Sequence, residues 1–186
     1  MGILSGRHVL VTGVLTEASL AFAVAKLAQE EGAEVVLTGF GRALSLTRRV
    51  ARRLPSEPDV LELDATKPEH AAAVAGEITR RYGSLDGLVH AIGNAPEACL
   101  GGDILKASWP EVSTALEIST YSLKLLSEAF APLLEKSPHG GSIVGLDFDA
   151  SVAWPAYDWM GVAKAALESL ARYLARDLGP RNIRVN

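Results

Sequence analysis

Short, nearly unbroken apolar runs alternate with longer stretches of helical period along the whole 186-residue chain. The runs are His8–Thr12, Glu34–Thr38, Val60–Asp64, Gly87–Gly93, Ser142–Leu146 and the closing Ile183–Asn186. A strand with one wet face alternates polar and apolar residues, whereas a run apolar throughout is buried on both faces. Between the runs, Ser19–Gly32, Ala43–Leu54, Pro68–Tyr82, Glu111–Glu135 and Tyr157–Leu178 read as helices. Gly32 stops the first, Pro55 ends the second, Pro68 sits in the first turn of the third, and a bend is expected at Pro132. Such alternation predicts a single α/β domain over residues 1–186: a doubly wound parallel sheet with helices on both faces.

Composition narrows the function. Hydrophobic residues make up 48% of the chain, far above a disordered segment. A net charge of −4 gives no basis for nucleic acid as a partner. Cys99 is the one cysteine, so no internal disulfide forms and a reducing compartment fits. No run is long and apolar enough to span a membrane, and Met1–Gly13 lacks a leader pattern, so a soluble cytoplasmic protein is expected. His8, His70, His90 and His139 lack ligand spacing, and no metal is expected.

In an open parallel sheet, ligands bind beyond the carboxyl ends of the strands. There the first strand runs into Gly13, which permits a sharp turn, and Ser19, which opens the next helix and offers its hydroxyl and N–H to a phosphate. The pattern G-x-G-x-x-G is absent, so an ordinary turn with an N-cap serine fits these two residues as well. Phe40 could cover an adenine or simply join the core. Asp64 could bond its amino group or simply cap a turn. No acidic residue stands where a ribose hydroxyl is usually bound, and Arg42 could meet a 2′-phosphate, so both NADH and NADPH stay open. Ala91, Ile92 and Gly93 leave room for a second ribose.

Tyr157 and Lys164 are seven residues apart in one expected helix, nearly two turns, so their side chains share a face with Cα atoms roughly 10 Å apart. A proton-donating phenol and a sugar-gripping ammonium at that distance suit a cofactor and a substrate lying between them. Asp147 and Asp149 flank Phe148 and read as solvated or capping groups. Arg42, Arg48, Arg49, Arg52 and Arg53 read as a solvated helix face, with a dock for an acidic partner as the functional alternative. Asn94–Pro110 is a plausible loop over the site.

These residues resemble the short-chain dehydrogenase/reductases, and within them the divergent enoyl-(acyl carrier protein) reductases of type II fatty-acid synthesis. The ordinary Tyr-x-x-x-Lys pattern fails, because Gly161 stands four after Tyr157 and Val144 stands where a serine is usual. Tyr157 with six residues before Lys164, and Gly13 with five before Ser19, match the enoyl reductases. The segment Ser142–Ser169, with Phe148 where many relatives have a second tyrosine, is most similar to the mycobacterial members. The resemblance implies a Rossmann-like fold and NADH against Gly13, Leu15, Ser19, Leu20, Phe40, Asp64, Ala65, Ala91, Ile92, Gly93 and Lys164. It implies a catalytic set of Tyr157, Lys164 and Phe148, with Tyr157, Phe148 and Met160 binding substrate. Hydride goes to C3 of a carrier-protein-linked trans-2-enoyl thioester, and Tyr157 stabilises the enolate. It implies a homotetramer through the Glu111–Glu135 and Tyr157–Leu178 helices. Family members continue past the sixth strand with a substrate-covering helix and a further strand, which these residues do not include. A carbonyl-reducing enzyme, or an inactive module that binds NAD(H) or oligomerises, are the alternatives.

Overall fold

The computed structural model describes residues 2–186. Its strands are β1 (His8–Val11), β2 (Glu34–Gly39), β3 (Asp59–Glu62), β4 (Gly87–His90), β5 (Gly141–Gly145) and β6 (Ile183–Val185). They form one parallel sheet in the order β3-β2-β1-β4-β5-β6. The winding reverses between β1 and β4, which opens a crevice at their carboxyl ends. The doubly wound Rossmann-like expectation holds.

Strand period explains the two-sided core. Side chains alternate faces along a strand, so Val9 and Val11 of β1 pack on one side with Val35, Leu37 and Val89. Leu10 goes to the other side, with Val36, Leu88 and Ile143. The first layer is closed by Phe22 and Ala25 of α1 (Leu20–Glu30) and Ala51 of α2 (Gly41–Ala51). The second is closed by α3 (Pro68–Tyr82), α5 (Ser122–Leu134) and α6 (Asp158–Leu178), through Ile78, Phe130 and Leu167. Pro68 occupies the first turn of α3, where its missing N–H costs nothing, and Gly83 closes that helix in the left-handed region at φ 76°.

Several boundaries differ from expectation for identifiable reasons. β4 stops at His90 rather than Gly93, because the Ala91 N–H leaves the ladder and donates to the Thr12 hydroxyl at 3.0 Å. β3 stops at Glu62 rather than Asp64, whose N–H turns to His70 Nδ1 at 3.2 Å. α2 ends at Ala51, not at Pro55; buried Leu54 draws the chain into a tight turn in which its N–H bonds the Ala51 carbonyl. Nor is Pro132 the break in the fifth expected helix. Pro132 lies inside an unbroken α5, with exposed Glu128 one turn before it, so solvent can satisfy the carbonyl that a proline leaves unbonded. The interruption is a π-helical turn over Glu117–Tyr121, between α4 (Trp109–Leu116) and α5.

Side-chain hydroxyls hold that wide turn in place. Ser119 accepts the Asn94 N–H at 2.9 Å and donates to the Asn94 carbonyl at 2.8 Å. Thr120 donates to the Ala163 carbonyl of α6 at 2.7 Å. Ser122 donates to the Ile118 carbonyl and meets His90 Nε2, both at 2.7 Å. Inserted turns of this kind occur frequently at functional sites, and this one ties the loop after β4 to α6.

Candidate functional site

At the end of β1, Gly13 has φ 78°, and a Cβ added there would lie 2.0 Å from the Ala91 carbonyl oxygen. Only glycine lets the first turn lie so close to the loop after β4. Buried Thr12 joins the two, donating to the Val89 carbonyl at 3.0 Å while accepting from Ala91. Buried Thr47 of α2 donates to the Val14 carbonyl at 2.7 Å and holds the same turn from beneath. Ser19 is the N-cap of α1, but its hydroxyl donates back to the Thr16 carbonyl at 2.6 Å. The Leu20 and Ala21 N–H groups have no acceptor among the described residues. With the positive end of the helix dipole behind them, they form an anion-binding end.

Two hollows meet over this turn. One, of about 470 Å³, runs over the ends of β1 to β4 and is lined by Leu15, Phe40, Asp64 and Ile118 among others. The other, of about 220 Å³, lies at Ser19, Leu20, Ala21, Leu146 and Lys164. They share Gly13, Ala91, Ile92 and Gly93, so every cofactor residue expected from sequence lines one or the other except Ala65. Ala65 is buried in the core beside Leu63 and Ala71, because the chain turns inward after Asp64. An elongated cleft with an anion-binding end and a glycine cradle that any Cβ would fill fits a dinucleotide. Phe40 is 47% exposed into it, a flat apolar surface for a base. Asp64 also caps its own turn, accepting from the Thr66 N–H at 3.0 Å and the Thr66 hydroxyl at 2.8 Å. The capping role of Asp64 is thus met, and the same residue lines the cleft.

Lys164 is only 8% exposed. Its ammonium donates to the Leu146 carbonyl at 2.8 Å and lies 3.8 Å from Asp147 Oδ1. A Cβ on Gly93 would sit 3.9 Å from Nζ, so the smooth loop after β4 leaves the ammonium open to the crevice. Burial lowers the Lys164 pKa, with Asp147 opposing. Burial likewise raises the Asp147 pKa, opposed by the Phe148 N–H and by Lys164. Desolvation thus outweighs mutual attraction on both sides of the pair. The backbone at Asp147 is open to solvent while its side chain is 21% exposed. The sequence alone reads Asp147 as a solvated or capping group; its contact with Lys164 depends on how α6 docks against β5.

His90, fully buried at the end of β4, lies beneath the same crevice. Because the Ser122 hydroxyl donates to Ile118, the His90 ring donates from Nε2, and Nδ1 has no partner among the described residues. Burial first, then nearby Lys164, lowers its pKa to about 4.

Tyr157 is placed differently from expectation. It is the N-cap of α6 rather than the first residue of the helix, with φ −90° and ψ −28°. It is flanked by Ala156 at φ 64° and Asp158 at φ 40°, left-handed conformations that cost about 1–3 kcal/mol each for residues with a Cβ. Helical spacing therefore does not fix its side-chain direction. Tyr157 is 45% exposed and lines a third hollow, of about 480 Å³, with Ile104, Trp154 and Val162, while Lys164 lines the crevice at Gly13. The expected single cleft shared by both groups is replaced by two neighbouring ones. The end of β5 links them: Leu146 and Asp147 hold Lys164, and the Phe148 ring packs on Tyr157 at 4.6 Å with a 53° tilt. Met160 is half-buried in the first turn of α6 and does not line the Tyr157 hollow, so its substrate role gains no support.

Other candidates resolve simply. Asp149 caps a turn, accepting from the Ser151 N–H and hydroxyl. Arg52 and Arg53 pair with Glu57 and Glu17, and all five arginines of the basic stretch are exposed. Val144 is 41% exposed on the sheet and carries no hydroxyl.

A family model described as Enoyl-(Acyl carrier protein) reductase matches residues 13–186. The enoyl-(acyl carrier protein) reductase (NADH) of Mycolicibacterium smegmatis is 46% identical over 189 residues, covering 100% of this chain and 69% of that protein. The protein of the same name from Mycobacterium avium is 44% identical, again over 100% of this chain and 69% of its own length. That of Neisseria meningitidis is 39% identical, over 100% of this chain and 71% of its own length.

Proposed function

We propose that this chain, which belongs to the enoyl-(acyl carrier protein) reductase family, reduces trans-2-enoyl thioesters at the expense of NADH. The observation that carries the reading is the junction at the end of β5. Three successive residues there hold Lys164 at the dinucleotide-sized cleft and touch Tyr157 beside it.

Gly13, Ser19, Leu20, Phe40, Asp64 and Ile92 would hold the dinucleotide, which when bound supplies the hydride taken up at C3. The Leu20 and Ala21 N–H groups would take its phosphates, and Phe40 would offer its flat face to the base. Lys164 donates to ribose hydroxyls; a charged hydrogen bond of this kind contributes roughly 1.5–3 kcal/mol. Negative charge develops on the thioester oxygen during reduction. The Tyr157 hydroxyl donates to that oxygen, and Phe148 keeps the phenol from turning freely. The lack of a hydroxyl at Val144 argues against carbonyl reduction. The substrate is carried by acyl carrier protein in the cytoplasm, and the relatives' names support NADH over NADPH. No helix among the described residues is long and apolar enough to cross a membrane. A homotetramer through α4, α5 and α6 is the assembly the family resemblance implies, and exposed Tyr121 in the π-helical turn and Tyr173 on α6 leave aromatic surface on that side.

The test is NADH consumption with a trans-2-enoyl thioester beside a carbonyl substrate. Turnover of the enoyl thioester alone supports the reading. Carbonyl turnover refutes it, and saturable NADH binding without turnover leaves only a binding module.

A further inference from the structure

The segment between the loop after β4 and α4 does more than cover the site. Gly101 and Gly102 lie at φ 102° and 98°. The Gly101 N–H donates to the Ala156 carbonyl at 3.0 Å, and the Gly102 N–H donates to Asp158 Oδ2 at 2.6 Å. In return, Trp159 Nε1 donates to the Ile104 carbonyl at 2.9 Å. These three bonds grip Ala156, Asp158 and Trp159, around Tyr157. The two that hold Ala156 and Asp158 hold its two left-handed neighbours. Left-handed residues with a Cβ persist only where surrounding contacts over-determine them. The segment is itself anchored: Cys99, fully buried, packs with Val112 and Ala115 of α4 and against Trp159.

We propose that residues 101–104 form a strap that sets the orientation of Tyr157, with Asp158 as the positioning residue that receives it. Asp158 borders the Tyr157 hollow, but its carboxylate is taken up by the Gly102 N–H and so holds the backbone turn from which the phenol projects. The inference rests on the reading that Tyr157 stabilises the enolate. It goes further by assigning the second strand of control over that phenol, besides the Phe148 ring, to a segment more than fifty residues away in sequence. A small misplacement of a reacting group lowers turnover without weakening a ligand bound elsewhere.

Asp158→Ala removes the acceptor and should lower kcat with an enoyl thioester by about 10-fold, leaving NADH affinity within about twofold. Asp158→Asn keeps an acceptor oxygen and should stay close to wild type. If Asp158 acts only through Tyr157, then Asp158→Ala adds no further loss in a Tyr157→Phe background. The strap is overturned if Asp158→Ala turns over normally, if Asn fails as Ala does, if NADH affinity falls in step with kcat, or if the double variant loses more than Tyr157→Phe alone. Should Asp158→Ala not fold, Trp159→Phe removes the return bond, and a kcat about threefold lower with NADH affinity intact is expected; an unchanged kcat overturns the proposal. Normal turnover by Tyr157→Phe would remove the premise and the strap with it. Slow turnover by Tyr157→Phe beside normal turnover by Asp158→Ala sinks the strap alone.

Discussion

Lys164 and Tyr157 stand two turns apart at the start of α6, yet the chain holds them in opposite ways. Lys164 is 8% exposed, inside regular helix, and fixed by the Leu146 carbonyl and the Asp147 carboxylate of the adjoining strand end. Tyr157 is 45% exposed, outside the helix, between two left-handed residues and under a strap from the far side of the loop after β4. The first arrangement follows from sheet topology, which brings the ends of β1, β4 and β5 together whatever the loops do. The second depends on loop-to-loop bonds that can be tuned without disturbing the cleft. A dinucleotide site can thus stay constant while the catalytic segment varies.

The largest effect that would separate the two regions is on turnover. Tyr157→Phe should lower kcat for an enoyl thioester by about 10²–10³, the usual cost of one oxyanion donor. NADH affinity, read by fluorescence titration, should not change; a parallel loss would mean the regions are not separable. Gly13→Ala should do the reverse kind of damage. Its Cβ meets the Ala91 carbonyl at 2.0 Å, so the cradle must open, and NADH affinity should fall by on the order of 100-fold, about 2.7 kcal/mol.

A third comparison uses acid. His90 under the cleft has its pKa lowered from 6.5 to about 4 in the folded chain. The unfolded chain therefore binds the proton first, so this contribution to stability is intact above pH 6.5 and lost as pH falls toward 4. The full loss is about 3 kcal/mol. Urea unfolding across that range should show the decline, and His90→Gln should flatten it. An equally steep decline in the variant would assign it elsewhere.

The smallest effect concerns the Lys164 pair. Burial lowers the ammonium pKa and Asp147 opposes that, so Asp147→Asn lowers it further. On raising pH, NADH affinity should then be lost at lower pH in Asp147→Asn than in wild type, with a change of only severalfold near neutrality. Coincident alkaline limbs would show that Asp147 does not act on Lys164.

The parallel sheet and its two covered faces were legible because continuous apolar runs and Gly or Pro punctuation report burial directly. Gly13, Phe40 and the Ala91–Gly93 loop were legible for the same reason: topology places strand ends whatever side chains they carry. Strand ends were overrun at Asp64 and Gly93 because apolar residues there leave the ladder to line the cleft or enter the core, and composition does not distinguish these fates. Ala65 follows the second course and lines neither hollow. Asp147 escaped notice because its partner lies on an element seventeen residues onward. The π-helical turn was invisible because Ser119, Thr120 and Ser122 act through tertiary bonds to Asn94, Ala163 and His90. Tyr157 was read as helical because left-handed neighbours such as Ala156 carry no local signature.

The most direct test of the whole arrangement is an equilibrium titration of NADH against the wild-type chain and Lys164→Ala. Saturable binding by the wild type, weakened by about 10-fold or more in the variant, is expected from loss of one charged hydrogen bond. Equal affinity in the two, or no saturable binding by the wild type, would contradict the assignment of this cleft.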